Sequence, residues 1–197
     1  AAAARASKPP ARLAGDASDR AYYRIRVAGG VFSGADTAVA MYMAPPQVDL
    51  PFLSVRGLLE EVGAPVPEVA GMDLSRGIVL LEDLGDVTLM DAARGADDDS
   101  WRRLYYEAMD IMIGIQVRGA ELRGSRDCVC FALAFDVEKL MFEFDFFIEN
   151  ALRVWKNAPL TPALEGELRN EFMNICDILS REPRYLCHRD YHSRNLM

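Results

Sequence analysis

The hydrophobic pattern of this 197-residue chain changes period once, near Glu82. Up to that point apolar residues alternate two by two, as strands require; beyond it they recur every three to four residues, as helices require. A chain patterned this way folds into a sheet-rich part followed by a helical part, an α+β architecture. From about Arg12 to Val27 the order is strand, turn, strand, and the turn is Gly15-Asp16-Ala17-Ser18-Asp19. Along Ala21–Val27, Tyr23, Ile25 and Val27 share one face and Tyr22, Arg24 and Arg26 the other. Thr37–Met43 reads as a third strand, stopped by Pro45-Pro46. A short helix is expected over about Pro51–Val62, with Asp49 as its cap and Gly63 and Pro65 as its stop. Glu68–Met72 and Ile78–Leu81 complete a small antiparallel sheet, joined by a turn at Ser75-Arg76-Gly77.

Three helices are expected after the change of period. The first carries the stripe Trp101, Leu104, Tyr105, Ala108, Ile111, Met112 and Ile115. Asp97, Asp98 and Asp99 precede it, where negative charge suits the positive end of the helix dipole. The second runs from about Val137 to Trp155, capped by Asp136, with Leu140, Met141, Phe144, Phe147, Ile148, Ala151, Leu152 and Trp155 as its stripe. The third opens at Thr161-Pro162, carries Leu164, Leu168, Phe172, Ile175, Cys176 and Leu179, and ends before Pro183. The aromatic run Phe142–Phe147 has helical spacing, so it reads as a wide core-facing stripe rather than a ligand box. The three consecutive aspartates read as a solvated helix start, not a metal site. The first ten residues, rich in Ala and Pro, form a loose tail.

Composition narrows the partners. The net charge is −8, and lysine occurs only at Lys8, Lys139 and Lys156. An acidic chain without a basic stripe is poorly suited to nucleic acid. No run of 18 apolar residues is present, so no membrane-spanning helix is expected. The opening AAAARASKPPAR has no hydrophobic segment of the kind a secretory signal needs. The cysteines are Cys128, Cys130, Cys176 and Cys187. Their C-x-C pair lacks zinc-ribbon or redox spacing, and both histidines, His188 and His192, lie far from it in sequence. They read as reduced thiols of a cytoplasmic protein.

The chemistry-bearing motif is His188-Arg189-Asp190-Tyr191-His192-Ser193-Arg194-Asn195, an H-x-D followed by four residues and an Asn. It matches the catalytic loop of the protein-kinase-like fold. A phosphoryl acceptor needs a carboxylate within hydrogen-bond reach to orient its hydroxyl and take the proton. Magnesium needs oxygen ligands, and an amide carbonyl five residues along the loop can supply one.

Taken with Leu13–Arg24, which contains GDAS-x-R-x-YYR, and with Leu80-Leu81-Glu82-Asp83-Leu84-Gly85-Asp86, this loop makes the chain resemble the aminoglycoside phosphotransferase and choline kinase superfamily. Within it the chain is most similar to the bacterial anomeric sugar kinases acting on N-acetylmuramate and N-acetylglucosamine; Met43-Ala44-Pro45-Pro46 also fits that subgroup. The resemblance implies a two-lobe protein-kinase-like fold, with a nucleotide-binding lobe over 11–84 and a helical lobe over 85–197 that ends, incomplete, at the catalytic loop. It implies ATP and Mg2+ as cofactors, Asp190 as the base and Asn195 as the metal ligand. Gly15, Asp16, Ala17 and Ser18 would cover the ATP phosphates, with Arg24 nearby as a nucleotide contact. Leu81, Glu82, Asp83 and Leu84 would form the hinge that meets adenine through backbone groups. His192 and Arg194 would lie beside the acceptor, a small molecule rather than a protein; His192 could equally brace the loop.

Two departures from the pattern stand out. The third strand, Thr37–Met43, has no lysine to pair the α- and β-phosphates, which leaves that task to magnesium and an arginine such as Arg20, Arg24 or Arg26. The second metal-binding aspartate of the fold does not occur before Met197. The expected activity is a phosphotransferase with an alcohol acceptor, moving the γ-phosphoryl group of ATP to the anomeric hydroxyl of an N-acetylated amino sugar. An aminoglycoside, choline-like or homoserine acceptor is the alternative within the superfamily. A nucleotide-binding regulator without turnover is the alternative from another class.

Overall fold

The computed structural model describes residues 9–13, 20–27, 31–32, 35–46, 50–124 and 127–197. The chain divides into two compact units, Ala1–Gly119 together with Cys187–Met197, and Ala120–Leu186. In the first unit, β1 (Ala11–Arg12), β2 (Arg20–Arg26), β3 (Thr37–Met43), β4 (Val69–Asp73) and β5 (Ile78–Glu82) form one sheet in the order β1-β2-β3-β5-β4. All four pairings are antiparallel. The strand boundaries differ from the expected ones by a residue at most, which is the usual scatter at element ends.

Register explains the core. Tyr22 lies opposite Met41, Met41 opposite Val79, and Val39 opposite Leu81, so these residues share one face. That face is buried with Met43, Leu50, Phe52 and Leu53, the last two belonging to helix α1 (Pro51–Glu61). The other face holds a smaller cluster of Val27, Phe32 and Ala38, flanked by Ile25 and Leu80. Helix α1 starts on Pro51, with Leu50 at its N-cap and no side-chain cap. The expected cap, Asp49, lies outside the described residues.

The link between β4 and β5 is a 3-10 turn over Leu74–Arg76, held by the Asp73 carboxylate, which accepts from the Ser75 hydroxyl at 2.6 Å and the Arg76 N–H at 3.2 Å. Gly77 closes it with φ +68°. A Cβ there would sit 2.2 Å from the Met43 carbonyl oxygen, while the Met43 N–H donates to the Gly77 carbonyl at 2.9 Å. Both the backbone conformation and the close approach of β3 demand glycine.

The helical elements depart further from expectation. Two short helices were not foreseen, α2 (Leu89–Ala93) and α4 (Val129–Ala132). Helix α3 (Asp98–Glu121) starts at Asp97, whose carboxylate accepts from the Ser100 N–H at 2.8 Å. Its expected stripe is half-buried or buried except for Trp101, which is exposed and lies against Tyr105 with ring centres 4.4 Å apart and planes tilted by 31°.

In the second unit the expected helix Val137–Trp155 is two segments: α5 (Val137–Phe147), capped by Asp136 as foreseen, and a π-helical stretch over Ile148–Trp155. The Lys156 N–H bonds five residues back to Ala151. This longer repeat breaks the 3.6 stripe, and Trp155 is 74% exposed instead of buried. Helix α6 (Pro162–Ser180) opens at Thr161 and Pro162 as expected. It packs on α5 through Phe144 stacked on Phe172 at 4.0 Å. Of the aromatic run, Phe142, Phe146 and Phe147 are exposed, so it does not form a continuous core stripe; Leu164, Ile175 and Leu179 of α6 are exposed as well. Cys128 and Cys130 lie with their sulfurs 3.0 Å apart, and burial pushes the Cys130 thiol up to about 12. Among the described residues no helix is long and apolar enough to cross a membrane.

Replacing Gly77 with Ala is expected to lower unfolding stability by more than about 1 kcal/mol, because the left-handed conformation alone costs that much. Urea denaturation of the two proteins checks it.

Candidate active site

The H-x-D-x4-N segment is a turn that braces itself. Arg189, just before Asp190, has φ +73°, a left-handed conformation uncommon outside glycine and one that typically costs about 1–3 kcal/mol. Asn195 donates from Nδ2 to Asp190 Oδ2 at 2.6 Å and to the Asp190 carbonyl at 3.1 Å. His192 accepts the Arg194 backbone N–H on Nδ1 at 3.2 Å. That fixes its proton on Nε2, which faces Asp190 Oδ1 at 3.2 Å. Each Asp190 oxygen therefore meets one loop side chain, while the carboxylate stays open to solvent. Asp190, Asn195 and His192 are thus brought together, and the Arg194 side chain is exposed beside them.

Two anchors hold this loop, and neither was read from the sequence. Tyr191 donates its hydroxyl to the Ala108 carbonyl on α3; burial raises the phenol's pKa, which keeps it a donor. Helix α2 supplies the second. Thr88 and Asp91 form a capping box, with the Asp91 N–H on the Thr88 hydroxyl at 3.2 Å and the Asp91 carboxylate accepting from the Thr88 N–H at 3.4 Å. The helix's remaining orphan donors go to the loop: the Leu89 N–H reaches the Leu196 carbonyl at 2.7 Å and the Met90 N–H the Ser193 carbonyl at 2.9 Å. The signal in the sequence was the Thr88-x-x-Asp91 spacing.

The expected hinge residues lie just before α2. The Leu81 side chain is in the sheet core, so only its backbone faces the hinge. Glu82 closes the β4 edge, donating its N–H to the Glu68 carbonyl at 2.9 Å and accepting the Glu68 N–H on Oε2 at 3.1 Å. Leu84 is exposed. Asp83 is the node of the segment, its side chain only 4% exposed. It binds Arg24 of β2 through two parallel contacts, Nε at 2.6 Å and Nη2 at 2.8 Å, and accepts the Gly85 N–H at 3.0 Å. Arg24 also donates to the Gly85 carbonyl at 2.9 Å and to both Asp86 oxygens at 2.9 Å. Gly85 takes φ +89° to present that carbonyl.

Magnitudes rank these contacts. The Asp86 arm is exposed and is worth about 0–1 kcal/mol. Stripping a partner from the buried Asp83 carboxylate costs about 1–3 kcal/mol. Burial is the largest single influence on Asp83 and pushes its pKa up, but hydrogen bonds from Arg24, Thr37 and Gly85 outweigh it, and the net value lies below the ordinary carboxylate range. The Asp83 hydrogen bond, then that of Asp86, hold the Arg24 guanidinium protonated well beyond its usual range.

The other expected residues are placed as follows. Gly15, Asp16, Ala17 and Ser18 lie outside the described residues. Arg20 sits 5.6 Å from the centre of the Phe52 ring, and Arg26 is exposed. Among the described residues no cluster of three or more His, Cys, Asp or Glu could hold a metal. The loop nevertheless suits a hard cation in one respect. With Nδ2 turned to Asp190, Asn195 keeps its amide oxygen available beside a carboxylate, so it would be the group here to hold such a cation.

An α+β chain with an antiparallel five-stranded sheet and a self-braced H-x-D-x4-N loop is of the protein-kinase-like class. The chain belongs to the phosphotransferase enzyme family, whose model matches residues 11–197. It is 36% identical to the N-acetylmuramate/N-acetylglucosamine kinase of Pseudomonas aeruginosa strain PAO1, over 96% of this chain and 52% of the relative. It is 31% identical to the protein of that name from Pseudomonas putida KT2440, over 92% and 49%, and 27% identical to that from Neisseria meningitidis serogroup B, over 93% and 51%. The chain spans about half the length of the curated relatives it matches.

Thr88→Ala removes the cap of α2 and is expected to cost about 1 kcal/mol. Amide exchange should then speed up at Leu89 and Met90, whose N–H groups hold the loop. Asp83 gives a pH signature. Its folded pKa is below the unfolded value near 3.9, so its contribution is complete above about pH 4 and is lost as pH falls through the folded value. Asp83→Asn should be less stable than the parent at neutral pH, with the gap narrowing in acid. Thermal melts across pH measure it.

Proposed function

We propose that this chain forms the nucleotide-binding and catalytic-loop portion of an ATP- and Mg2+-dependent sugar kinase. The reaction transfers the γ-phosphoryl group of ATP to the anomeric hydroxyl of N-acetylmuramate or N-acetylglucosamine. The observation that carries this reading is the loop itself, in which Asn195 donates to one Asp190 oxygen and His192 Nε2 faces the other while the carboxylate stays open. The names of the relatives supply the acceptor.

In this reading Asp190 orients the acceptor hydroxyl and takes its proton as the sugar oxygen attacks the γ-phosphorus and ADP departs. Little covalent chemistry falls to the protein, so positioning and charge neutralisation carry the rate. Bound Mg2+ neutralises phosphate charge, and Asn195 Oδ1 is the ligand offered by this loop. Backbone groups of Glu82 and Leu84 meet the adenine; among the described residues the Leu84 N–H has no hydrogen-bond partner. Residues 11–84 form the nucleotide lobe, the acceptor lobe begins at 85, and Arg194 lies beside the sugar. The reaction runs in the cytoplasm, where ATP is supplied, without nucleic acid or a membrane as partner.

The test is a phosphorylation assay on the whole gene product with an acceptor panel. N-acetylmuramate and N-acetylglucosamine are expected to be phosphorylated, and aminoglycosides, choline and homoserine not. Asp190→Ala should lower turnover by about 10²–10⁴-fold, the usual range for a positioned acid or base. Unchanged turnover in that variant overturns the mechanism. Asn195→Ala should shift the Mg2+ requirement upward. One observation favours a regulator instead: β3 brings no lysine to the sheet. ATP binding independent of metal, with no turnover on any acceptor, decides for it.

A further inference from the structure

An arginine near a nucleotide site is ordinarily read as a phosphate ligand, but the Arg24 guanidinium of this chain is engaged by protein groups. Arg24 sits in the middle of β2, opposite Val39, and its three guanidinium nitrogens make five hydrogen bonds to Asp83, Gly85 and Asp86. The planar fork matches the Asp83 carboxylate on two parallel contacts, an arrangement that fixes direction as well as distance. Moving that guanidinium onto a phosphate would leave Asp83, 4% exposed, without its main partner.

The same contacts determine the shape of the segment they touch. Asp83 accepts from the Gly85 N–H, Arg24 holds the Gly85 carbonyl, and the turn between them carries the Leu84 N–H outside the network. Asp83 is bound across 59 residues of sequence to the centre of the sheet, so the segment cannot slide relative to β2 without breaking the fork.

We propose that Arg24 is a positioning residue for the nucleotide base. It does not touch ATP; through Asp83 and Gly85 it holds the Glu82–Gly85 backbone in the register that reads adenine. This inference rests on the kinase reading above. It assigns Arg24 to base recognition and removes it from the phosphates.

The two roles separate by which part of the nucleotide feels the loss. A positioning residue affects adenosine as much as ATP, whereas a phosphate ligand affects ATP and leaves adenosine alone. Binding of adenosine, ADP, ATP and GTP is measured by calorimetry on the whole gene product and on Arg24→Lys, Arg24→Gln and Asp83→Asn. For Arg24→Gln the expected result is a loss of about tenfold for adenosine and for ATP alike, with a smaller ATP-over-GTP preference. Asp83→Asn should reproduce it, and Arg24→Lys should recover part of it. A loss confined to ADP and ATP, or no loss in any variant, overturns the proposal. Should Arg24→Gln fail to fold, Arg24→Lys and Asp83→Asn carry the same comparison. Failure of the kinase reading has a different mark: the parent protein binds none of the nucleotides.

Discussion

The first N–H groups of a helix have no partner inside it, and in α2 those groups help to hold the H-x-D-x4-N loop. A helix of five residues is too short to persist on its own. This one is closed at its start by the Thr88–Asp91 box and by the carbonyls of Ser193 and Leu196. The dependence is mutual: the helix is satisfied by the loop, and the loop is placed by the helix. Because Thr88 follows the Asp83–Gly85 segment by only a few residues, one short stretch of chain fixes two things at once. Its first half is tied to the sheet by Arg24, and its second half carries the loop with Asp190.

Charge supply is the problem this arrangement leaves. Kinases of this class commonly place a lysine on the third strand, but β3 uses its inward positions for Met41 and Met43, both buried in the main core. A lysine at either position would bury a charge among methionines and leucines, at a cost the core could not offset. Arg24 is engaged by Asp83 and Arg20 lies over Phe52. In the kinase reading, the charge of a triphosphate is therefore left to Mg2+.

Much of the fold was legible because it depends on local pattern. The alternation along β2, β3 and β5, the caps at Asp136 and Thr161, and Pro162 at the first helical position all act within a few residues of themselves. What escaped has physical reasons. Five residues of α2 are too few to show a period, and only the Thr88-x-x-Asp91 spacing marked it. The apolar stripe of α5 continues in sequence past Ile148, but the backbone winds more loosely there and turns Trp155 outward. The Arg24–Asp83 fork joins residues 59 apart, and no local pattern encodes such a contact. In the loop, the H-x-D-x4-N spacing was legible at once, whereas the left-handed Arg189 and the Tyr191 anchor to α3 belong to the folded backbone.

The loop's internal bonding also limits what it can say to an acceptor. His192 accepts the Arg194 N–H on Nδ1, and its Nε2 lies 3.2 Å from Asp190 Oδ1. The Asn195 amide nitrogen is likewise turned onto Asp190. A ligand that drew on this ring would compete with contacts the loop already makes, which favours the bracing role for His192, and the Arg194 side chain stays exposed beside it. A guanidinium pairs with a carboxylate through two parallel hydrogen bonds, so in the sugar-kinase reading Arg194 is the group suited to an anionic acceptor.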